Sequence, residues 1–213
     1  MNQESKHATI LIIDLVGYTS KTASSTREQL IELQDTFDSL VNPCIPQYQG
    51  TIIKKMGDAF LCSFESPTNA VHCAINLQKR FKLFRLKNMK KMHIRAVLHT
   101  GEVLFRDNDV YGSTVNMCAR LEGITPKDEI FMTSPLWHSI NKTEIPTKYV
   151  GAFPFKGFTQ KMAVYKVTTP KDKQQAVFTK IRNTVYTGAA IAVVIFTMNY
   201  VWNNMTYLLQ FIV

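Results

Sequence analysis

The N-terminal part of the chain alternates between short apolar runs and amphipathic stretches. Residues 8–14 (ATILIID) form an apolar run that ends in an acid, and they predict a buried strand. Apolar side chains at helical spacing from Leu30 to Leu40 predict a helix, which Asn42-Pro43 closes. Residues 51–56 (TIIKKM) and 59–64 (AFLCSF) predict two strands, and the Gly-Asp turn between them indicates a hairpin.

The helices and strands predicted after residue 65 complete the element order of one domain. Ser66-Pro67 begins a second helix with one apolar face. The remaining predicted elements are a long strand over 93–105 with a bend near Gly101, a short helix over 112–121, a strand over 129–133 and final strand material over 149–167. The order β-α-β-β-α-β with additions predicts an α+β, ferredoxin-like (βαββαβ) domain, with two helices on one face of an antiparallel sheet. Because this fold serves enzymes and RNA-binding proteins alike, function has to be argued from the site.

The C-terminal segment has a different pattern. Residues 185–202 carry no formal charge, and about 20 mostly apolar residues suffice to span a bilayer. Basic residues upstream favour a cytoplasmic position for the preceding domain. We therefore predict a domain over 1–168, a basic linker over 169–184 and a C-terminal transmembrane anchor over 185–213. The three asparagines between positions 199 and 204 favour the alternative, a buried or dimer-forming helix.

The composition narrows the classes of function only slightly. The net charge of +9 points to an anionic partner without identifying it. The four cysteines are scattered, with no pairing at metal-binding spacing, so we expect reduced thiols rather than disulfides or a zinc site. Residues 79–95 hold eight basic residues and no acid. This run could lie on anionic lipid, but a solvated helix end and loop is the interpretation we favour.

Candidate chemistry lies in two carboxylates and one helix. Asp14 ends the first predicted strand and Asp58 lies in the hairpin turn, and Mg²⁺ binds one or two such carboxylates together with phosphates and water. Aspartate is also common in turns for backbone reasons, so the spacing alone favours a turn-forming role. Asn116 and Arg120 share one face of the predicted helix and could hold a ribose and a phosphate, although a surface pair is the alternative.

Four segments together resemble the class III adenylyl and guanylyl cyclases. They are ATILIIDLVGYTS, GTIIKKMGDAFLCSF, HTGEV and DVYGSTVNMCARLE, and the resemblance runs from about Ala8 to Val167. It implies a cyclase catalytic domain in which Asp14 and Asp58 bind two Mg²⁺ (or Mn²⁺) ions in each active site. It further implies that Asn116 orients the ribose and Arg120 stabilises the transition state. Lys156, in a loop before the last strand, is implied to contact the triphosphate.

The resemblance also implies a substrate. Adenylyl-type members carry a lysine three residues before the hairpin glycine and an aspartate before the catalytic helix, and Lys54 and Asp109 match them. Aspartate can accept from the exocyclic amine of adenine, while lysine donates to a ring nitrogen. The implied reaction converts ATP to 3′,5′-cyclic AMP and pyrophosphate, in a homodimer with active sites at its interface.

Three other hypotheses stay open. The chain could cyclise another nucleotide, GTP or a pyrimidine, or it could be a catalytically silent cyclase-like domain that binds a nucleotide or a partner. The third hypothesis is an RNA-binding module, suggested by fold order and basicity. Because the chain lacks the aromatic strand motif of such modules, we expect no nucleic-acid partner.

Overall fold

The computed structural model describes residues 3–18, 25–89, 91–168 and 197–198. The chain divides into two compact units, Met1–Val167 and Thr168–Val213. The predicted linker and membrane anchor therefore lie outside the described residues, apart from positions 197 and 198. Among the residues that are described, no helix is both long enough and apolar enough to cross a membrane.

The first unit is built on a single eight-stranded sheet. Its strand order is β2-β3-β1-β4-β6-β8-β7, with the short β5 paired to β4. The strands are β1 (Gln3–Leu15), β2 (Gly50–Met56), β3 (Ala59–Phe64), β4 (Ile94–Arg106), β5 (Asp109–Tyr111), β6 (Ile130–Thr133), β7 (Thr147–Phe153) and β8 (Met162–Val167). The β2-β3-β1-β4 part has the predicted ferredoxin-like order, and β6, β8 and β7 extend it.

One pairing in the sheet differs from the antiparallel prediction. β4 and β6 run parallel, with Ala96 opposite Ile130 and Leu98 opposite Met132. The chain between these two strands passes through a helix, and a crossover of this kind returns the next strand in the same direction. The sheet is therefore mixed, while the pairings β1–β3, β1–β4, β2–β3, β4–β5, β6–β8 and β7–β8 are antiparallel.

Five helices accompany the sheet in the part of the chain described. They are α1 (Arg27–Val41), α2 (Cys44–Gln47), α3 (Pro67–Asn88), α4 (Ser113–Glu122) and α5 (Ser134–Ser139). Thr26 begins α1 with a capping box to Gln29, and Ser66 caps α3 immediately before its first-turn proline. The predicted helices are confirmed, and α3 extends well beyond its predicted apolar face.

Two apolar clusters lie on opposite faces of the sheet. On one face α1 and α3 pack through buried residues such as Phe37, Leu77 and Phe81 against strand residues including Leu11 and Leu98. This arrangement confirms two helices on one face. The opposite face carries α4, which the order βαββαβ alone does not place.

Because side chains alternate along a strand, successive residues of β1 face different clusters. Ile10 and Ile12 belong to the cluster beneath α4, and Met117 and Leu121 of that helix pack with them. The same alternation puts Asp14 on the α4 face, at the end of the apolar run. The second layer therefore brings α4 to the side of the sheet that carries the first candidate carboxylate.

Candidate active site

Asp14 and Asp58 are neighbours at one edge of the β1–β3 ladder. Asp14 pairs in register with Ala59, and the backbone N–H of Leu15 donates to the carbonyl oxygen of Asp58 at 3.0 Å. The hairpin turn depends on Gly57, whose φ of +63° lies in the region that favours glycine. Two carboxylates distant in sequence are thus placed together, as predicted.

Arg95 and Glu122 complete this group of charges, and the sequence alone did not identify either of them as a site residue. Arg95 lies opposite Asp14 in the β1–β4 register. Its Nε donates to Asp14 Oδ2 and its Nη2 donates to Glu122 Oε1, both at 2.7 Å. Glu122 is the last residue of α4, so the guanidinium joins that helix to the sheet at the carboxylate pair.

The electrostatics of the group favour an additional cation. Asp14 is only 6% exposed, and its burial raises the pKa of its carboxyl; the charge of Asp58 raises it further, while Arg95 opposes both. Burial likewise raises the pKa of Glu122, with the charges of Asp14 and Asp58 adding to the effect. The positive charge of Arg95 therefore does not fully offset the negative charges of Asp14, Asp58 and Glu122. A cation beside Asp14 and Asp58 would relieve the remaining repulsion.

These residues fit a magnesium or manganese ion that shares its coordination with a substrate. Among the described residues no group of three or more histidine, cysteine or acidic side chains converges on a metal position. Mg²⁺ commonly takes only one or two carboxylates from a protein and completes its shell with phosphate oxygens and water. Asp14 and Asp58 would supply that pair of ligands, and the hydrogen bond from Arg95 fixes the position of Asp14.

Lys54 and Asp109 form the second group. Lys54 Nζ donates to Asp109 Oδ2 at 2.6 Å, which connects β2 to β5. This hydrogen bond is the main reason that the pKa of Asp109 is lowered. Both side chains remain partly exposed, so a ligand can reach them. The structure thus brings these two predicted residues into contact, although they are 55 positions apart in sequence.

The helix α4 carries Asn116 and Arg120. Gly112 begins it with a φ of +126°, and the Thr114 hydroxyl donates to the Glu102 carbonyl at 2.7 Å. A Cβ at Gly101 would lie 2.7 Å from Thr114 Oγ1, so a glycine there permits α4 to approach β4 closely. Local sequence thus fixes where the helix starts, and with it the height of Asn116 above the sheet.

The two predicted catalytic side chains differ in their surroundings. Asn116 is exposed, whereas Arg120 is half-buried. The Nε of Arg120 is buried and has no hydrogen-bond partner among the described residues. A buried donor without an acceptor is costly, which makes this guanidinium a candidate to receive an anionic ligand.

Lys156 stands apart from the other predicted site residues. It is exposed in the loop between β7 and β8, where Phe158 N donates to Phe155 O at 3.0 Å to close a turn. Phe155 is buried in the cluster beneath α4 and so anchors the loop. Within the described residues Lys156 makes no hydrogen bond or ion pair with either group.

The predicted residues are therefore held in separate groups within one chain. Across the described residues, no hydrogen bond or ion pair joins Asp14 or Asp58 to the Lys54–Asp109 pair, or to Asn116 or Arg120. Of the two residues that the sequence did not identify, Arg95 had one signal: it is a charge among the apolar residues that begin the predicted strand over 93–105. Its partner could be identified only once the register was known.

Comparison with known proteins agrees with this architecture. Residues 1–169 match the family model described as "Adenylate and Guanylate cyclase catalytic domain". The serine/threonine-protein kinase pkn2 of Myxococcus xanthus is 27% identical over 165 residues, which cover 76% of this chain and 20% of that protein. The adenylate cyclase of Streptomyces coelicolor is 28% identical over 130 residues, covering 61% of this chain and 33% of that enzyme. The matched region thus spans only a fifth to a third of these relatives.

A solved structure gives the same fold. The adenylyl cyclase CyaB from P. aeruginosa aligns with a TM-score of 0.73 and 24% identity, over 79% of this chain and 97% of that one. At that identity the likeness establishes the fold alone. The family match, in contrast, covers most of the 213 residues and all the predicted site positions. The chain therefore belongs to the family of adenylate and guanylate cyclase catalytic domains.

Proposed function

We propose that this cyclase domain is an adenylyl cyclase, which converts ATP to 3′,5′-cyclic AMP and pyrophosphate. The observation that carries the proposal is the contact between Lys54 Nζ and Asp109 Oδ2 at 2.6 Å. It supports one recognition unit, made of a donor and an acceptor, rather than two unrelated surface charges.

The chemistry of this unit suits adenine better than guanine. The exocyclic amine of adenine donates, so Asp109 can accept from it, and the neighbouring ring nitrogen can accept from Lys54. Guanine presents a carbonyl oxygen and a ring N–H at the equivalent edge, which reverses both roles. A hydrogen-bonding site rejects the wrong partner strongly, because its buried polar groups are then left unpaired.

The remaining residues have roles in the transfer itself. The ribose 3′-oxygen bonds to the α-phosphorus while the bond from that phosphorus to the pyrophosphate oxygen breaks. Asp14 and Asp58 would hold two Mg²⁺ or Mn²⁺ ions; metal ions bound there lower the pKa of the attacking hydroxyl and neutralise the leaving oxygens. Asn116 orients the ribose, and Arg120 directs its unpaired buried Nε toward the phosphate charge. Lys156 binds the triphosphate.

We further propose that the active unit is a homodimer with two sites at its interface. Among the described residues of one chain, no hydrogen bond or ion pair joins the carboxylate group to the Lys54–Asp109 group, which supports a site completed by a second copy. Met56 and Tyr111 are exposed apolar residues two positions beyond Lys54 and Asp109, and burial between subunits would stabilise them.

Mixing two inactive variants tests the dimer. Asp58→Asn removes a metal ligand and Asn116→Ala removes the ribose contact, so each variant alone should be inactive. A one-to-one mixture forms heterodimers in half of the pairs, each with one intact site of two, so about a quarter of wild-type activity should return. No recovery from a mixture shown to exchange subunits would refute a shared site.

The C-terminal segment supports a membrane-tethered enzyme with its catalytic domain in the cytoplasm. This part of the proposal rests on the uncharged stretch over 185–202 and the basic residues that precede it. Alkaline extraction of membranes from cells that express the full chain tests it. An anchored protein stays in the pellet, whereas release into the supernatant would contradict the tether.

The substrate is tested by product formation from ATP, GTP, CTP and UTP with Mn²⁺. Lys54→Met should lower the preference for ATP, because it removes one of the two base contacts. Lys55→Met is the matched control, since Lys55 is the next residue of β2 and forms its own ion pair with Asp38 at 2.5 Å. It should leave the preference unchanged.

The outcomes separate the alternatives. Cyclic AMP from ATP, abolished by Asp58→Asn, supports the reaction and the metal ligands together. A different cyclic nucleotide keeps the enzyme and overturns the base assignment. No product from any of the four nucleotides, from a dimeric protein, favours a silent nucleotide-binding domain.

A further inference from the structure

The last turns of α3 expose large apolar side chains to solvent. Leu83 is 65% exposed, Leu86 68% and Met89 88%, and all three lie within seven residues. The sequence alone favoured a solvated helix end and loop for this region, but the helix continues to Asn88. Leu83 and Leu86 therefore present apolar surface on a continuous helix, and the rest of this domain does not cover it.

Basic residues surround these leucines on the same side of the helix. At about 100° per residue, Lys79, Leu83 and Leu86 fall on one face, with Lys82 and Lys87 at its edges. We name these five residues, together with Met89, the basic apolar face. Every charged residue of α3 itself is basic, because no acidic residue occurs between Glu65 and Glu102. Lys79, Lys82 and Lys87 form no ion pair within the described residues.

The opposite side of the helix holds this face in position. Phe81 is fully buried in the core. Arg85 forms an ion pair with Asp128 at 3.1 Å and also donates to the Met92 carbonyl at 3.0 Å. Both of these residues belong to the core-facing side, so the helix end is firmly attached to the domain. The exposed leucines therefore cannot turn inward without breaking those contacts.

We propose that the basic apolar face lies on the anionic surface of a membrane. The lysines would contact lipid phosphate and carboxylate groups, and the two leucines and the methionine would enter the interface between headgroups and acyl chains. Helices at membrane interfaces combine these features: lysine-rich edges around an apolar stripe. Long lysine stems also let the ammonium groups stay in the headgroup layer while the neighbouring leucines go deeper.

A membrane explains the face better than a nucleic acid does. Proteins that bind single strands stack bases on aromatic side chains, and the exposed apolar residues here are aliphatic. The chain also carries its own uncharged apolar stretch at 185–202. The intervening residues 169–184 can extend at most about 55 Å, so a bilayer that holds this stretch would be within reach of the domain. The proposal goes beyond the cyclase reaction. Loss of membrane docking and loss of cyclase activity can be detected by separate measurements.

The expected effect is large enough to measure. A basic residue near an anionic membrane strengthens docking roughly five-fold. Replacing all three lysines with glutamine should then weaken docking on the order of 100-fold. Substituting three exposed lysines elsewhere, Lys142, Lys148 and Lys161, removes the same charge and should have little effect.

The test uses the full chain with Met89→Cys labelled by an environment-sensitive fluorophore. The four native cysteines are buried, so the label attaches at position 89. The protein is reconstituted in vesicles of phosphatidylcholine, alone or with about one third phosphatidylserine. We expect a blue shift of the label only with phosphatidylserine, lost in the variant Lys79→Gln/Lys82→Gln/Lys87→Gln and retained in the control variant.

Each other result would overturn the proposal. An unshifted label in both vesicles means that the face stays in water. An equal shift in both means that anionic lipid is not recognised. A shift produced by oligouridine without vesicles identifies a nucleic-acid surface, and a shift that depends on protein concentration identifies a second copy. Circular dichroism checks the fold of each variant, and Leu83→Gln, which changes no charge, replaces the triple variant if that protein unfolds. Product formation, measured in the same samples, reports on the proposed reaction independently.

Discussion

Replacing Arg95 with glutamine tests the electrostatic account of the carboxylate group. The change removes the donors to Asp14 and Glu122, two charge-assisted hydrogen bonds at 2.7 Å each. Such bonds contribute about 1.5–3 kcal/mol each. Burial already raises the pKa of Asp14, so without Arg95 this carboxyl can take up a proton and become neutral. Protonation limits the fall in the free energy of unfolding. We expect the variant to be about 3 kcal/mol less stable than the wild type at pH 8.

The deficit should depend on pH in a defined direction. Without Arg95, the pKa of Asp14 in the folded state rises further above its value in the unfolded chain. Between these two pKa values the folded protein binds more protons than the unfolded one, so its stability falls as the pH increases. The deficit should therefore be smaller at pH 5 than at pH 8, because Asp14 takes up its proton more readily as the pH falls.

Urea unfolding of the metal-free protein, followed by circular dichroism at pH 5 and pH 8, measures this difference. Arg80→Gln is the matched control, since Arg80 also donates two hydrogen bonds, at 2.9 Å, but to the amide oxygens of Asn76 and Gln47. Its deficit should be about 1 kcal/mol at both pH values. A deficit for Arg95→Gln that is equally large at pH 5 would refute the reasoning, because lost packing rather than charge would explain it.

Three further predictions concern the rest of the domain. Gly50→Ala should destabilise the domain by about 1–3 kcal/mol in urea unfolding, because the new Cβ would overlap the Phe64 ring; an unchanged midpoint would show that the ring moves freely. Burial lowers the pKa of His99 from 6.5 to about 4. Below pH 6.5 the unfolded chain therefore takes up a proton at His99 that the folded domain does not, and the free energy of unfolding should fall by about 2 kcal/mol between pH 8 and pH 5. His99→Gln should abolish that part of the pH dependence. All four thiols are buried, so Ellman's reagent should react only at the rate of unfolding, and a fast-reacting thiol would contradict their placement.

The sequence alone predicts structural elements correctly where the apolar pattern and the turn-forming residues agree. The strand 8–14 and the Gly57-Asp58 turn were predicted from apolar runs and turn residues, and both are confirmed. The roles of Lys54 and Asp109 in base recognition were implied by the family resemblance and not by local pattern, and they stay predictions. The structure adds that the two side chains are in contact across β2 and β5, which no prediction included.

Features set by long-range register could not be predicted. Arg95 meets Asp14 only because β1 and β4 pair in one particular alignment. The parallel direction of β6 and the position of α4 on the second face likewise depend on how the crossover packs. The role of Lys156 stays a prediction, because the family resemblance implies it and the described residues offer this side chain no hydrogen bond or ion pair that would test it.

The β1–β4 pairing has a consequence for the order in which the protein is made. Asp14 leaves the ribosome 81 residues before Arg95, the residue that neutralises it. Until β4 is complete, the first strand lacks both its longest partner and the counter-charge at its end. Contacts between such distant segments form slowly because a long loop must close first. The group of charges around Asp14 is therefore completed late in folding, and a nascent chain that stops before β4 cannot assemble it.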